Sequence, residues 1–415
     1  MKKNIAILLI LAMLAAMLTA CGDTGSTTPD SDNNSTSLSN EDTSDAAGDS
    51  QENDQEDDQE DAAVSAPVVE KEAFDNYARP VIVPEGIRVG YLIRQIEAES
   101  QARSLRQAEI ECAQRGWNLI PIIYEVDTNF RDAFQNLLNQ GVDAIIMGST
   151  ESTESKQDLI AQARNSGIGV YANDTQLVDG MISNCTMPNG TATMQLIYDI
   201  GSSHNWEMNI AFLTAEASQS CRERIEPAMT LTNGIYPSMV CVGTEDVNST
   251  TLSVAEACFN FAQTWMQKYG TDLDMIYTAA DGYGFCMTEA VVQAGDEHGE
   301  NTFLVGFDGG SKAWNYIRND TPFKYSYAQP FELYTHNVFE IIDDIQVEGL
   351  NPGEDGCLID RPGDSLFFTG LTVTMSNCPE VGQSFHSLFD YYDESNTDAW
   401  YNWDDGEGAA IVTEI

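Results

Sequence analysis

The stretch Arg88-Val-Gly-Tyr-Leu-Ile93 is a short run of mainly apolar, β-branched and aromatic residues, and a helical pattern from Ala98 to Arg115 follows it. Gly116 ends that helix, because glycine readily adopts the left-handed conformation found at helix C-termini. A second strand pattern, Asn118 to Ile123, comes next. These residues predict one strand–helix–strand unit.

The same alternation continues toward the C-terminus. Further strand patterns cover 143–148, 169–173, 181–185, 209–214, 238–243, 275–280, 302–307, 323–328 and 366–374, and helical patterns such as 129–139 and 154–165 lie between them. Strands that are apolar along their length and alternate with helices form parallel sheets covered on both faces. The length suits two such sheets, so we expect an α/β fold of two doubly wound lobes with a ligand cleft between them.

The first residues predict export. Lys2 and Lys3 precede an apolar run over 5–17, and Leu18-Thr19-Ala20-Cys21 closes it. We interpret 1–20 as a signal peptide. The last four residues resemble the bacterial lipobox, which implies lipidation of Cys21 and an extracytoplasmic protein anchored to the bacterial membrane. The alternative is an ordinary signal peptide with a chance cysteine.

The next segment is acidic. Residues 22–61 contain no Lys, Arg or aromatic residue, and we expect 21–83 to be a disordered tether that begins with the lipidated cysteine. The whole chain carries a formal charge of −47. Nucleic acid is therefore excluded as a partner, because phosphate contacts require Lys and Arg.

Cysteine and histidine usage gives no metal or cofactor site. Eight of the nine cysteines follow Cys21, without CxxC spacing, and the four histidines are scattered. We expect mainly buried thiols, with Cys357 and Cys378 as the best candidates for a disulfide. We expect no metal and no cofactor.

The catalytic motifs expected of an enzyme with this design are missing. The sequence has no Gly-x-x-x-x-Gly-Lys-Ser/Thr, no Gly-x-Ser-x-Gly, and no Gly-x-Gly-x-x-Gly after the first strand. Gly282-Tyr-Gly284 follows a strand but lacks the third glycine, and we interpret it as a tight turn. The pattern favours a binding protein over an enzyme.

Polar residues stand where the strands end. Asn173 and Asp174 follow one strand, Arg224 opens a helix, and the remaining members are Asp281, Asp308 and Gln329. Carboxylates, an amide and a guanidinium together suit a ligand with many hydroxyls, each of which donates and accepts hydrogen bonds. The alternative for any one of them is a helix N-cap.

These residues also carry a resemblance. From about Arg88 to Thr374 the chain resembles the type I periplasmic-binding-protein family, in its ribose-binding-like, sugar-binding branch. The matching segments are 140–147 (Gln-Gly-Val-Asp-Ala-Ile-Ile-Met), 168–174 (Ile-Gly-Val-Tyr-Ala-Asn-Asp), 222–224 (Arg-Glu-Arg), 304–309 (Leu-Val-Gly-Phe-Asp-Gly) and 327–329 (Tyr-Ala-Gln). The resemblance implies that Asp174, Arg224, Asp308 and Gln329 bind sugar hydroxyls.

The resemblance further implies two Rossmann-like lobes joined by a three-segment hinge that closes on the ligand. The N-terminal lobe would comprise 84–187 and 330–352, and the C-terminal lobe 188–329 and 353–380. Crossovers are expected near 187–188, near 329–330 and after residue 351. A tail rich in acidic and aromatic residues, 381–415, has no family counterpart; we expect it to pack across one lobe or to dock on a partner.

The chain departs from the family pattern at three places. Ala98-Glu99-Ser100-Gln101 replaces an asparagine and paired phenylalanines, Ala280 replaces an asparagine, and Thr175 stands where an arginine is common. Candidates for replacing lost contacts are Arg94, Gln95 and Tyr283, with Tyr91, Phe285 and Trp314 as further stacking candidates and Glu97 or Glu99 as partners for an amine. The predicted ligand-binding set is Arg94, Gln95, Asn173, Asp174, Arg224, Asp281, Tyr283, Asp308 and Gln329.

The expected function is that of a monomeric solute-binding lipoprotein of an ABC importer, which takes a monosaccharide or a derivative and delivers it to a membrane permease. A lipoprotein that presents a sugar or signalling molecule to a membrane receptor predicts the same fold and cleft. A hydrolase or isomerase on a similar frame would need a base with a nucleophile or a metal.

Overall fold

The computed structural model describes residues 74, 78–94, 98–124, 129–148, 153–403 and 410–414. The predicted signal peptide, Cys21, the tether up to residue 73 with residues 75–77, Gln95 and Glu97 lie outside the described residues. Residues 78–83, assigned to the disordered tether, instead bond to the first lobe: the Val81 amide donates to the Gly167 carbonyl at 2.8 Å and the Val83 amide to the Gln346 carbonyl at 2.6 Å. Among the described residues, no helix combines the length and apolar character needed to cross a lipid bilayer.

Strands and helices alternate as the sequence predicts. In chain order the strands are β1 (Arg88–Arg94), β2 (Asn118–Tyr124), β3 (Ala144–Met147), β4 (Gly169–Asn173), β5 (Ser183–Thr186), β6 (Met208–Thr214), β7 (Met239–Asp246), β8 (Met275–Thr278), β9 (Phe303–Asp308), β10 (Phe323–Ala328), β11 (Asp364–Phe367) and β12 (Leu371–Val373). The helices are α1 (Glu99–Arg115), α2 (Phe130–Gln140), α3 (Gln157–Asn165), α4 (Asn189–Ser203), α5 (Gln219–Thr230), α6 (Val254–Tyr269), α7 (Asp281–Ala294), α8 (Asp296–Asn301), α9 (Ser311–Arg318) and α10 (Phe331–Ile342).

Local sequence sets several helix ends. Gly116 and Gly141 adopt φ of 68° and 67° directly after α1 and α2, the left-handed conformation that glycine accepts without steric cost. At the start of α6, Ser253 and Glu256 form a capping box, in which each side chain bonds the backbone of the other.

The strands form two six-stranded sheets. The first sheet has the order β11-β5-β4-β3-β1-β2 and is parallel throughout. The second has the order β12-β10-β9-β8-β6-β7, with β12 antiparallel to β10 at one edge. The predicted fold of two doubly wound lobes is confirmed. The central strands β3 and β8 are buried along their whole length, as expected for sheets covered on both faces.

The chain passes between the sheets three times, at 187–188, 329–330 and 368–370. The last crossover corrects the sequence analysis, which interpreted 366–374 as one strand and assigned 353–380 to the second lobe. Residues 364–367 instead pair with β5 of the first sheet, and only 371–373 join the second. Gly370 permits this tight passage, because a Cβ there would lie 1.8 Å from the Ala328 carbonyl oxygen.

The C-terminal segment (381–403 and 410–414) packs on both lobes, whereas the sequence suggested one lobe or a partner. On the first lobe, the Phe385 ring lies 4.2 Å from the Arg103 guanidinium of α1, and Trp400 stacks on His336 of α10 at 4.4 Å. On the second lobe, the Thr413 amide donates to Ser311 Oγ of α9 at 3.0 Å. The segment therefore spans the two lobes.

All eight described cysteines are free thiols. Cys112, Cys185, Cys221 and Cys258 are buried, and the other four are partly buried. The candidate disulfide between Cys357 and Cys378 does not form. The Cys378 thiol instead donates to the Trp314 carbonyl at 3.6 Å, which ties the start of the C-terminal segment to α9.

Candidate ligand-binding site

The second lobe brings three of the predicted residues into direct contact. Arg224, on α5, donates from Nη1 to Asp308 Oδ1 at 3.2 Å, and Gln329 donates from Nε2 to the same oxygen at 2.9 Å. Asp308 ends β9 with a φ of 112°. Such a backbone conformation is strained for a non-glycine residue and persists where the surroundings fix it, which is common at functional sites.

Arg224 is almost fully buried, and its donors are directed to specific acceptors. Besides Asp308, it donates from Nε to Asn189 Oδ1 at 2.8 Å and from Nη1 to the Ala279 carbonyl at 3.0 Å. Burial raises the pKa of Asp308 to about 6, although the Arg224 charge opposes the shift. The pair thus joins a buried guanidinium to a carboxylate whose side chain is 26% exposed.

Asp174 reaches the same place from the first lobe. It follows β4 with a φ of 53°, is largely buried, and accepts from Thr186 Oγ1 at 3.1 Å. Burial raises the pKa of Asp174, and the nearby Arg224 charge opposes that rise. We call Asp174, Arg224, Asp308 and Gln329 the polar cluster.

Asp281 holds the backbone next to Asp308 in place through hydrogen bonds within the second lobe. Both of its carboxylate oxygens accept from Ser326 Oγ, at 2.8 and 2.9 Å, and Oδ2 also accepts from the Gly309 amide at 2.8 Å. A Cβ on Gly306 would lie 2.3 Å from Oδ1, so the strand leaves room for this carboxyl group. Burial, with the Asp308 charge, raises the pKa of Asp281 well above its usual range. These bonds give Asp281 a supporting role within the second lobe, and its contact with a ligand stays a prediction.

Asn173 is likewise engaged within the protein. Its Nδ2 donates to Tyr91 Oη at 2.7 Å and to Thr335 Oγ1 at 2.9 Å, and the side chain is buried. These contacts tie β4 to β1 and α10. The Nδ2 group of Asn173 therefore has a structural role inside the first lobe, and its contact with a ligand stays a prediction.

Arg94 and Tyr283 belong to opposite lobes and lie close together. Burial raises the pKa of Tyr283, and the Arg94 charge is near enough to oppose that rise. The other stacking candidates are core residues: Tyr91 and Trp314 are buried, and Phe285 packs against Phe323 with ring centroids 5.3 Å apart. Tyr283 is partly buried, and the charges of Arg94 and Asp308 both act on it.

Glu99 crosses from the first lobe to the second. Its Oε1 accepts from the Ser311 amide at 2.8 Å and its Oε2 from the Lys312 amide at 3.4 Å, so the carboxylate sits at the N-terminus of α9. Both carboxylate oxygens of Glu99 thus accept from backbone amides, and its suggested role as a partner for an amine stays a prediction. One turn along α1, Arg103 forms a buried ion pair with Glu332 at 2.7 Å and donates to the Gly309 carbonyl at 2.6 Å.

A cavity of about 560 Å³ adjoins the polar cluster, and we call it the side cavity. Asp174 lines it, whereas Arg224, Asp308 and Gln329 do not. Its wall comes from both lobes: 174–177, Asn184, 186–191, Met194, 219–220, Glu223, Ser365 and Phe367. The open space of the cleft therefore lies beside the polar cluster, toward the crossovers at 187–188 and 368–370.

Asn189 and Glu223, to which the sequence analysis assigned no role, connect the side cavity to the polar cluster. Asn189 accepts from Arg224 Nε and donates from Nδ2 to Glu223 Oε2 at 3.2 Å. Gln219 donates from Nε2 to Glu223 Oε1 at 2.6 Å. The available signals were the position of Asn189 just after a predicted crossover and that of Glu223 between the two arginines of 222–224.

The periplasmic binding protein domain model matches residues 112–337, which is more than half of the chain. The chain belongs to this family. Its two-lobed fold with three crossovers is the type I architecture expected from the sequence. No curated protein matches the chain.

Solved structures of the family share the fold at low sequence identity. An ABC transporter solute binding protein from Agrobacterium vitis with bound allitol has a TM-score of 0.60 at 16% identity, covering 71% of this chain and 98% of that one. One from Actinobacillus succinogenes with bound D-allose has a TM-score of 0.61 at 16% identity, covering 70% and 99%. One from Bacillus halodurans with bound myo-inositol has a TM-score of 0.60 at 14% identity, covering 71% and 97%.

Proposed function

We propose that this protein is the extracytoplasmic solute-binding component of an ABC importer and that it binds a sugar or a related polyol. The observation that carries this proposal is the polar cluster. Arg224, Asp308 and Gln329 of the second lobe are held together by hydrogen bonds, and Asp174 approaches them from the first lobe. Each ligand hydroxyl can donate to a carboxylate and accept from a guanidinium or amide group.

The three crossovers support binding by closure of the two lobes. Rotation about short crossover segments moves rigid lobes around a ligand, as in other hinge-bending binding proteins. Structural neighbours with bound allitol, D-allose and myo-inositol support a ligand of this polarity and size. Specificity then arises because buried polar groups are left unpaired by a ligand with the wrong pattern of hydroxyls.

The proposal includes a lipid anchor on Cys21 and delivery of the ligand to a membrane permease. The anchor follows from the lipobox-like residues 18–21, and the acidic segment that follows would hold the folded lobes away from the bilayer. Binding and release, without chemical change of the ligand, are the activities proposed here.

A thermal-shift screen of the protein purified in mild detergent tests the binding function. The panel comprises pentoses, hexoses, sugar alcohols, inositols, amino sugars and nucleosides. A ligand at about 1,000 times its Kd stabilises the folded state by about 4 kcal/mol, and this raises the Tm by several degrees. If no sugar or polyol raises the Tm and a nucleoside does, the sugar assignment is overturned. Loss of uptake of the identified sugar in cells lacking the protein would support the importer role, and unchanged uptake would contradict it.

A further inference from the structure

The wall of the side cavity carries negative charge that no basic residue of that wall balances. Asp174 and Glu223 line it, and the described residues of the wall include no Lys, Arg or His. The Glu223 carboxylate is held by Gln219 and Asn189, which are neutral amides. Hydrogen bonds from amides fix the position of the carboxylate but do not neutralise its negative charge.

The neighbouring guanidinium does not restore the balance. Arg224 is paired with Asp308 at 3.2 Å, and the Arg103 charge also acts on Asp308, but neither arginine lies in the cavity wall beside Asp174 and Glu223. These charges act on one another: burial is the main cause of the raised pKa of Asp174, and Glu223 adds to it.

Closing the lobes around a neutral ligand would leave this excess charge away from water. An unpaired buried charge is costly, whereas one that is paired and hydrogen-bonded is tolerated. A ligand that brings a positive charge into the side cavity would supply the missing partner. The cavity also has apolar surface from Leu177, Met187, Met194 and Phe367, against which a sugar ring or carbon chain can pack.

We propose that the ligand is an amino sugar or amino polyol, whose ammonium group lies between Asp174 and Glu223 while its hydroxyls bind Arg224, Asp308 and Gln329. Glu223 is then the residue that determines the preference for a charged ligand. This inference rests on the proposed function, since it places the ammonium in a cavity adjoining the proposed hydroxyl-binding cluster.

Isothermal titration calorimetry at pH 7 with matched ligands tests the proposal. Each set contains a neutral sugar, its amino derivative and its N-acetylated derivative: glucose, glucosamine and N-acetylglucosamine, and the corresponding galactose and mannose sets. N-Acetylation keeps the nitrogen but removes its charge. We expect at least one amino sugar to bind about tenfold or more tightly than both of its partners, since a charged hydrogen-bonded pair supports a difference of that order.

Variants locate the preference. Glu223→Gln should weaken binding of the amino sugar about tenfold more than it weakens binding of the neutral partner. Glu226→Gln, at an exposed position on the same helix, is the matched control and should change neither. Circular dichroism of both variants establishes that each is folded.

The outcomes separate this inference from the proposed function. If neutral sugars bind and no amino sugar exceeds its neutral partner, the ammonium site is overturned while the sugar-binding function stands. An unchanged amino-sugar affinity in folded Glu223→Gln would also overturn it. If no sugar or polyol binds in either form, the proposed function fails together with the inference.

Discussion

The two lobes share one architecture but contribute differently to the cleft. In the second lobe, Arg224, Asp308 and Gln329 are joined by hydrogen bonds, and Asp281 fixes the loop after β9 from behind. In the first lobe, Asp174 has one hydrogen-bonding side-chain partner in its surroundings, Thr186, and Asn173 is engaged within the lobe. The polar groups of the second lobe are therefore held in place by one another, and in the proposed function they form a prearranged binding surface that the first lobe completes on closure.

The largest effect is expected at the centre of the second-lobe surface. Arg224→Ala should weaken ligand binding about 100-fold or more, because it removes a buried donor and leaves Asp308 without its counter-charge. Since Arg224 is buried, we expect a loss of about 3–5 kcal/mol in the free energy of unfolding as well.

Calorimetry and chemical denaturation measure the two effects separately. Arg222→Ala is the matched control, because that arginine lies two residues away and contacts the Glu216 carbonyl on the exposed side. Full affinity in folded Arg224→Ala would contradict a prearranged surface on the second lobe.

A smaller effect on binding, without loss of stability, is expected in the first lobe. Asp174→Asn should weaken binding about 10- to 100-fold, because a charged hydrogen-bond acceptor is lost. Burial raises the pKa of this carboxyl, so the folded state disfavours its charged form and the variant should melt at an equal or higher temperature at pH 7. A marked fall in Tm would show that Asp174 supports the fold instead.

Asp308 of the second lobe should make the affinity for the ligand dependent on pH. Its pKa in the folded protein is about 6, above its ordinary value, so it takes up a proton as the pH falls through 6. Binding that uses its carboxylate should weaken below pH 6, approaching about tenfold per pH unit. A flat affinity between pH 7 and 5, measured by calorimetry, would contradict this role.

The raised pKa of Asp308 also makes the free energy of unfolding depend on pH, but stability falls as the pH rises, whereas binding strengthens. The folded state binds this proton more tightly than the unfolded state, so the contribution of Asp308 to stability is complete at low pH and is lost as the pH rises through about 6. Between pH 4 and 6, wild-type protein should therefore lose stability with rising pH more steeply than Asp308→Asn. If the free energy of unfolding falls with pH equally steeply in both proteins, Asp308 does not cause the loss of stability.

The smallest effect is expected where the lobes touch. Glu99 of the first lobe accepts from two amides at the N-terminus of α9 in the second. Glu99→Gln should weaken ligand binding about two- to fivefold, because a carboxylate at a helix N-terminus contributes about 0.3–1 kcal/mol to the closed arrangement. Glu109→Gln, on an exposed turn of the same helix, should leave affinity unchanged.

The sequence predicted the two sheets and the residues of the polar cluster. Strand periodicity sufficed for the sheets, and polar residues after parallel strands meet at one edge by geometry, as Asp308 and Gln329 do. The sequence did not distinguish Asp281, which faces the interior, from Asp308, which faces Arg224, since both follow a strand.

Features that depend on distant contacts could not be predicted. The role of Glu223 depends on Asn189, which lies 34 residues away, and no periodic pattern encodes that pairing. The division of 366–374 into β11 and β12 depends on the close approach of Gly370 to Ala328 in another strand. The C-terminal segment lacks periodicity, so its packing across both lobes emerged only from the structure.

A crystal structure of the protein with the sugar, polyol or amino sugar that gives the largest thermal shift is the most direct test of the central claim. We expect a ligand enclosed between the lobes, with its hydroxyls bonded to Arg224, Asp308 and Gln329 of the second lobe and to Asp174 of the first. A ligand bound outside the cleft, or one that contacts neither Arg224 nor Asp308, would contradict it.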